Sequence, residues 1–194
     1  MERNSLKAWA ASPRRLLVAC LLAVSVAGCA GAPPATLKGL PQRVEISSVP
    51  FYRGNANHSG AMALAALLSQ QGAPITPGLL DKPLGLPQGT ASLGDSIPRV
   101  AREYGMVVYP LEKHLDALLT QVAAGNPVLL RYQEGSAWWS EPRYAVLIGY
   151  DRYKQRVLLR SGMHRRQLMA FDDFAAGWAK EGHWAVLVQP PRQL

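Results

Sequence analysis

The chain is short of cysteine, of acidic residues and of long apolar runs. Its two cysteines are Cys20 and Cys29, and none follows in the rest of the 194 residues. Disulfides, thiolate catalysis and cysteine-ligated zinc are therefore excluded from everything beyond position 29. The four histidines, His58, His114, His164 and His183, stand far apart without metal-ligand spacing, so neither metal nor cofactor is expected. With 13 acidic residues against 21 lysines and arginines, the formal net charge is +8. The first 28 residues hold four basic residues and one acidic, or +3, which leaves +5 for the remainder. Those charges are scattered and no Lys/Arg tract interleaves with aromatics, which argues against nucleic acid as a partner. A modestly basic surface suits anionic lipid headgroups instead. The one local basic pair, Arg165-Arg166 beside His164, reads as a solvated turn.

The longest apolar run, residues 16–24, is too short for the roughly 20 residues that span a bilayer as a helix. It follows Lys7, Arg14 and Arg15 and precedes Ser25-Val26-Ala27-Gly28-Cys29. A basic stretch, a short apolar stretch and a small-residue cleavage site in that order make residues 1–28 a signal peptide. Small residues directly before a cysteine resemble the lipobox of bacterial lipoproteins. The resemblance implies cleavage before Cys29, acylation of that cysteine and anchoring to a membrane of the bacterial envelope. Ala30, where an aspartate is absent, implies the outer membrane, facing the periplasm. Residues 29–43 hold Gly31, Pro33, Pro34, Gly39 and Pro41 with few large apolar side chains, and read as a flexible tether. Residues 44–190 are the size of one domain.

Within that domain, a polar stretch at residues 53–59 leads into an Ala/Leu-rich run at 60–70 that ends at Gly72. This is a helix apolar on nearly every face, hence buried, with Asn57 or Ser59 as its cap. Ile75-Thr76-Pro77 starts a short helical turn, and residues 83–94 form a Pro/Gly-rich loop. A helix follows from Asp95 or Ser96 to Tyr104, with Pro98 in its first turn and Gly105 as its stop. Residues 106–109 are a short strand. The apolar spacing of Leu115, Leu118, Leu119 and Val122 makes a helix within 111–124, stopped by Gly125. Residues 127–132, 143–150, 156–160 and 183–189 are strand-like, with 151–155 as a hairpin and 171–180 as a last helix. Helices first and strands later make the fold class α+β, with N-terminal helices packed on an antiparallel sheet.

This order, with Val49-Pro50-Phe51 ahead of Gly60-Ala61-Met62-Ala63-Leu64, then Arg102-Glu103-Tyr104-Gly105, residues 143–151 and Leu159-Arg160-Ser161-Gly162, resembles the papain-like bacteriocin-processing cysteine peptidases. The resemblance covers residues 49–189. It implies a papain-like fold in which a Gln of the entry loop, a Cys opening the buried helix, a His opening a central strand and an acidic orienting residue make the active site. Carried onto this chain, those places fall on Gly54, Ser59, Arg143 and Ser161, so every catalytic member is replaced. A guanidinium stays protonated and cannot accept a proton from a nucleophile.

Two functions of different class follow. In the first, a membrane-anchored, inactive peptidase-like domain binds a peptide or protein segment, such as one belonging to a secretion or export system. Trp138 and Trp139 would be a contact wall and Arg143 the partner of a carboxylate or carbonyl. Against this, the tryptophans could pack on Trp178 or Trp184, and Arg143 could bridge to Asp151 or Glu141. In the second, Ser59 is the nucleophile of a hydrolase, with His164 or His183 brought to it by folding; against this, Ser59 is a helix cap.

Overall fold

The computed structural model describes residues 39–87, 92–135 and 138–192. Its centre is one antiparallel sheet of seven strands: β1 (Arg43–Glu45), β2 (Val107–Pro110), β3 (Val128–Gly135), β4 (Ser140–Asp151), β5 (Arg156–Ser161), β6 (His164–Ala170) and β7 (Ala185–Gln189). They lie in the order β2-β7-β3-β4-β5-β6, and β1 pairs with the far end of β4. Among the described residues five α-helices accompany them: α1 (Ser59–Gln70), α2 (Pro77–Leu84), α3 (Leu93–Glu103), α4 (Leu115–Ala123) and α5 (Phe171–Lys180).

Both faces of the sheet are covered. On one face Leu64, Leu67 and Leu68 of α1, with Ile97 and Val100 of α3, pack on Leu129, Tyr144, Val146 and Ile148. On the other, Leu118 and Val122 of α4 with Phe174 and Trp178 of α5 pack on Leu130, Tyr132, Ala145 and Leu147. Strand β4 is thus buried on both sides from Arg143 to Tyr150, which explains an apolar run in place of the alternation that a one-sided strand shows. Since β3 and β4 pair in unbroken register, Tyr132 opposite Arg143 and Arg131 opposite Tyr144, odd and even positions of β4 look to different helical layers.

The expected order holds, with these corrections. Helix α1 is capped by neither Asn57 nor Ser59: the side chain of Asn55 accepts from the His58 N–H of a preceding 3-10 turn (Ala56–His58), and Ser59 is already inside the helix. Helix α3 begins at Leu93, so Pro98 lies in its interior and one backbone hydrogen bond is lost there. Residues 83 and 84, expected in a loop, finish α2. Arg165 and Arg166 are not in a turn but on β6, an edge strand so exposed that its sequence carries no apolar alternation. Strand β1 was equally silent: it takes in Arg43, and Arg152 donates its backbone N–H to Gln42 O at 2.9 Å, so ordered chain reaches into the segment expected as a tether. Residues 1–28, expected as a signal peptide, and Cys29 lie outside the described residues. No helix of the described residues is long and apolar enough to cross a membrane.

Candidate functional site

The start of α1 meets β4 at Ser59. Its hydroxyl donates to Ala56 O at 2.7 Å and accepts the backbone N–H of Tyr144 at 3.0 Å. Ser59 is only 2% exposed, and its proton and one of its two lone pairs are engaged inside the protein. A hydroxyl held this way pins the helix to a strand 85 residues further along. No histidine is bonded to it among the described residues. His58 turns instead to Asp81 of α2, Nδ1 to Oδ1 3.2 Å, His114 bonds Glu112, and His183 stands edge-on to Trp178.

Arg143 is not in the cleft with Ser59. It shares the α5-side face of the sheet with its register partner Tyr132, whereas Tyr144 turns toward α1. The guanidinium is 8% exposed and ion-paired by Nε to Glu134 and by Nη2 to Glu141 at 2.5 Å. Of the two bridges weighed from the sequence, the one to Glu141 forms and the one to Asp151 does not, while Glu134 supplies a partner that was not foreseen. Ser161 belongs to the same network: its hydroxyl shares a hydrogen bond of 3.0 Å with Tyr132 Oη, which lies 3.1 Å from Glu134 Oε1, and Gln167 Nε2 donates to that oxygen at 2.7 Å. Burial pushes the Tyr132 hydroxyl pKa up, opposed by the Ser161 hydrogen bond, and keeps it neutral. Arg143 therefore lies on the other face of the sheet from Ser59 and lines neither cavity that reaches Ser59, whereas Ser161 lines the smaller of the two.

The residue that faces Ser59 is Tyr144. Its ring lies edge-on to Trp184 at 5.3 Å and under the Arg131 guanidinium at 5.6 Å; Arg131 is in turn held by Glu181 at 2.8 Å. Its hydroxyl is buried without a hydrogen bond of ordinary geometry, and burial raises its pKa to about 12. Residue 144 is in step with Val146 and Ile148, the strand positions that meet α1.

Gly54, in the place of the oxyanion Gln, donates its N–H to Gly162 O at 3.2 Å. A Cβ there would stand 2.6 Å from Met62 Sδ, so the space of a longer side chain is already filled from α1. Between the two halves a groove of about 310 Å³ remains, with Asn57, Ser59 and Leu93 on one wall and Arg131, Glu141 and Tyr144 on the other. Beneath it a second cavity of about 20 Å³, reaching Ser59, Met62 and Arg160, has room for about one water. Trp138 and Trp139 stand at the tip of the β3–β4 hairpin, 96% and 70% exposed. Neither is buried, while Trp178 stacks on Phe174 and Trp184 meets Tyr144. Gly135, at φ +133, permits this tip: a Cβ would stand 2.2 Å from Trp139 O. Among the described residues no cluster of His, Cys, Asp or Glu is placed to hold a metal ion.

No protein-family model matches the chain, and no curated protein matches it. Solved structures do. One described as a C39-like peptidase from Bacillus anthracis is 16% identical with a TM-score of 0.60, over 79% of this chain and 100% of that one. The peptidase domain of Streptococcus ComA, a bifunctional ABC transporter involved in a quorum-sensing pathway, is 16% identical at 0.57, over 74% and 99%. A double-glycine-motif protease from an AMS/PCAT transporter, solved with its leader peptide, is 15% identical at 0.55, over 78% and 99%. Xylellain, a cysteine protease from Xylella fastidiosa, is 11% identical at 0.55, over 82% and 90%. The fold of this chain is that of the C39-like, papain-like peptidases.

Proposed function

We propose that this chain is a lipid-anchored envelope protein whose peptidase-like domain holds a peptide or protein segment without cleaving it. The observation that carries the reading is the Ser59 hydroxyl, which gives its proton to Ala56 O and takes the Tyr144 N–H. A serine nucleophile needs a base within reach of its proton; here the proton is already given to a backbone carbonyl, and no histidine is bonded to the hydroxyl among the described residues. The Gln place is glycine, the side chain facing Ser59 is a neutral tyrosine, and no cysteine follows position 29. The same observations weigh against a serine hydrolase built on Ser59.

Loss of the chemistry leaves the groove. Its walls combine an aromatic floor, Tyr144 with Trp184 against it, and fixed charges at Arg131 and Glu141, which suits an extended segment with polar backbone and apolar side chains. The exposed Trp138 and Trp139 are anchors of the kind that dominate binding energies. A neighbour of the same fold was solved with a leader peptide bound, and a segment handled by a secretion or export system is the partner we propose here. Anchoring is through Cys29 to the outer membrane, facing the periplasm.

The test uses the purified chain from residue 30 onward and a broad peptide library. Retention of a sequence class without cleavage, unchanged in Ser59→Ala and weakened about tenfold or more in Trp138→Ala/Trp139→Ala, is the expected result. Cleavage that disappears in Ser59→Ala would overturn it.

A further inference from the structure

We infer that the end of the sheet where the chain enters from Cys29 docks on an anionic lipid surface, through a pocket that takes a phosphate headgroup. The pocket, of about 90 Å³, lies between β1, the β4–β5 hairpin and β6. Four cationic side chains line it, Arg43, Lys154, Arg156 and Arg166, against two carboxylates, Glu45 and Asp151. Both carboxylates are already engaged. Glu45 is gripped in a fork by Arg166, Nε and Nη2 each at 2.8 Å, and Asp151 Oδ1 accepts the Lys154 backbone N–H at 2.9 Å. Lys154 and Arg156 make no ion pair among the described residues. The lining thus carries +2, with its two unpaired cations on one hairpin. Asp172 and Asp173, at the start of α5, are not part of it.

The rim and the chain path point to a membrane as the source of the anion. Tyr153, 81% exposed at the hairpin tip between Arg152 and Lys154, and Leu168, 53% exposed, add the aromatic and apolar contacts of an interfacial surface. The same hairpin grips the incoming chain: Arg152 donates from its backbone to Gln42 O and from its guanidinium to Leu40 O. Residues 30–38 separate Cys29 from the described fold, and nine residues reach about 30 Å at most. A lipid on Cys29 would therefore keep this pocket within reach of headgroups. Strand β4, twelve residues and about 36 Å long, then carries Trp138 and Trp139 at the opposite end, turned away from the bilayer and toward a partner. Only this orientation rests on the lipid-anchor reading; the pocket stands without it.

Because both cores close within residues 39–192, the experiment can use the chain from residue 30 onward, without its lipid. Its binding is measured to vesicles of phosphatidylcholine alone and with a third phosphatidylglycerol, at about 0.1 M salt. The expected result is binding to the anionic vesicles only, weakened about tenfold or more by Lys154→Glu/Arg156→Glu and far less by Arg102→Glu/Lys180→Glu, which makes the same change in net charge. Tyr153→Trp keeps every charge and gives a second readout, an emission blue shift on anionic but not neutral vesicles. Equal binding to both vesicles, an equal loss in both charge variants, or binding of inorganic phosphate without preference for anionic vesicles would each overturn the proposal. Lipidation itself is read separately, in the full chain, by the membrane fractionation of Cys29→Ser, so the two failures are told apart.

Discussion

The buried polar residues of this protein differ in whether they have charged partners, although Arg143 Nη1 is itself buried without a hydrogen bond. Arg143 has Glu134 and Glu141, and Glu134 also accepts from Gln167 and lies beside the Tyr132 hydroxyl. Removing the Glu134 charge leaves a largely buried guanidinium with one partner, so Glu134→Gln should cost about 3 kcal/mol, read as a lower urea midpoint at unchanged slope. Tyr144 is the opposite case, a buried hydroxyl without a good partner. Tyr144→Phe should change stability by less than about 1 kcal/mol at neutral pH. An unfolded tyrosine ionises near pH 10.0, whereas burial holds Tyr144 protonated to about 12. Between those values the unfolded state has lost a proton that the native state keeps, so stability falls as pH rises. Tyr132 and Tyr150 are shifted in the same direction and add to the slope. In Tyr144→Phe the alkaline loss should be shallower, and a denaturation series from pH 9 to about 12 measures it. Ser59 and Arg143 had been legible as altered positions, and Glu141 as a partner, but Glu134 and the Tyr144 amide had not, because they come across strand pairs and from the far half of the chain.

At the scale of elements, helix packing distinguishes glycines that the sequence shows alike. Gly177, in the middle of α5, lies so close to β3 that a Cβ would stand 2.7 Å from Gln133 O, a backbone atom that cannot move aside. Gly78, in the first turn of α2, faces open space. Gly177→Ala should therefore destabilise by about 1–3 kcal/mol, as overpacking does, while Gly78→Ala should stabilise by about 0.5–1 kcal/mol through helix propensity. Thermal unfolding of the two variants side by side is the check, and the same sign for both would contradict the packing. The elements with a periodic or continuous apolar signal, α1, α4, β3, β4 and β7, were legible. Strands β1 and β6 were not, because a three-residue strand has no period and an exposed edge strand has no apolar face.

For the molecule as a whole, the covered sheet and the groove beside α1 are one construction: the helical layer that buries Tyr144, Val146 and Ile148 also supplies the wall that carries Ser59. The expected anchor lies outside that construction, in residues 1–38. Cys29→Ser should shift the protein from the membrane fraction to the soluble fraction without altering the unfolding midpoint of the domain, since both cores close on residues beyond it. Retention in the membrane fraction would contradict lipidation at that position.

By itself the sequence determined that thiolate chemistry is impossible beyond position 29, which segments with an apolar signal are helix or strand, and that helix α1 is buried, because these depend on composition and on local periodicity. Only the tertiary structure decided what the altered positions do. A strand buried on both faces has no polar side to reveal its phase, so residue 143 and residue 144 are equivalent until α1 is laid against one face. Once it is, Tyr144 meets Ser59 and Arg143 turns to Glu134 behind the sheet. In the same way the exposure of Trp138 and Trp139 follows from where a hairpin ends, which neighbouring residues in the chain do not encode.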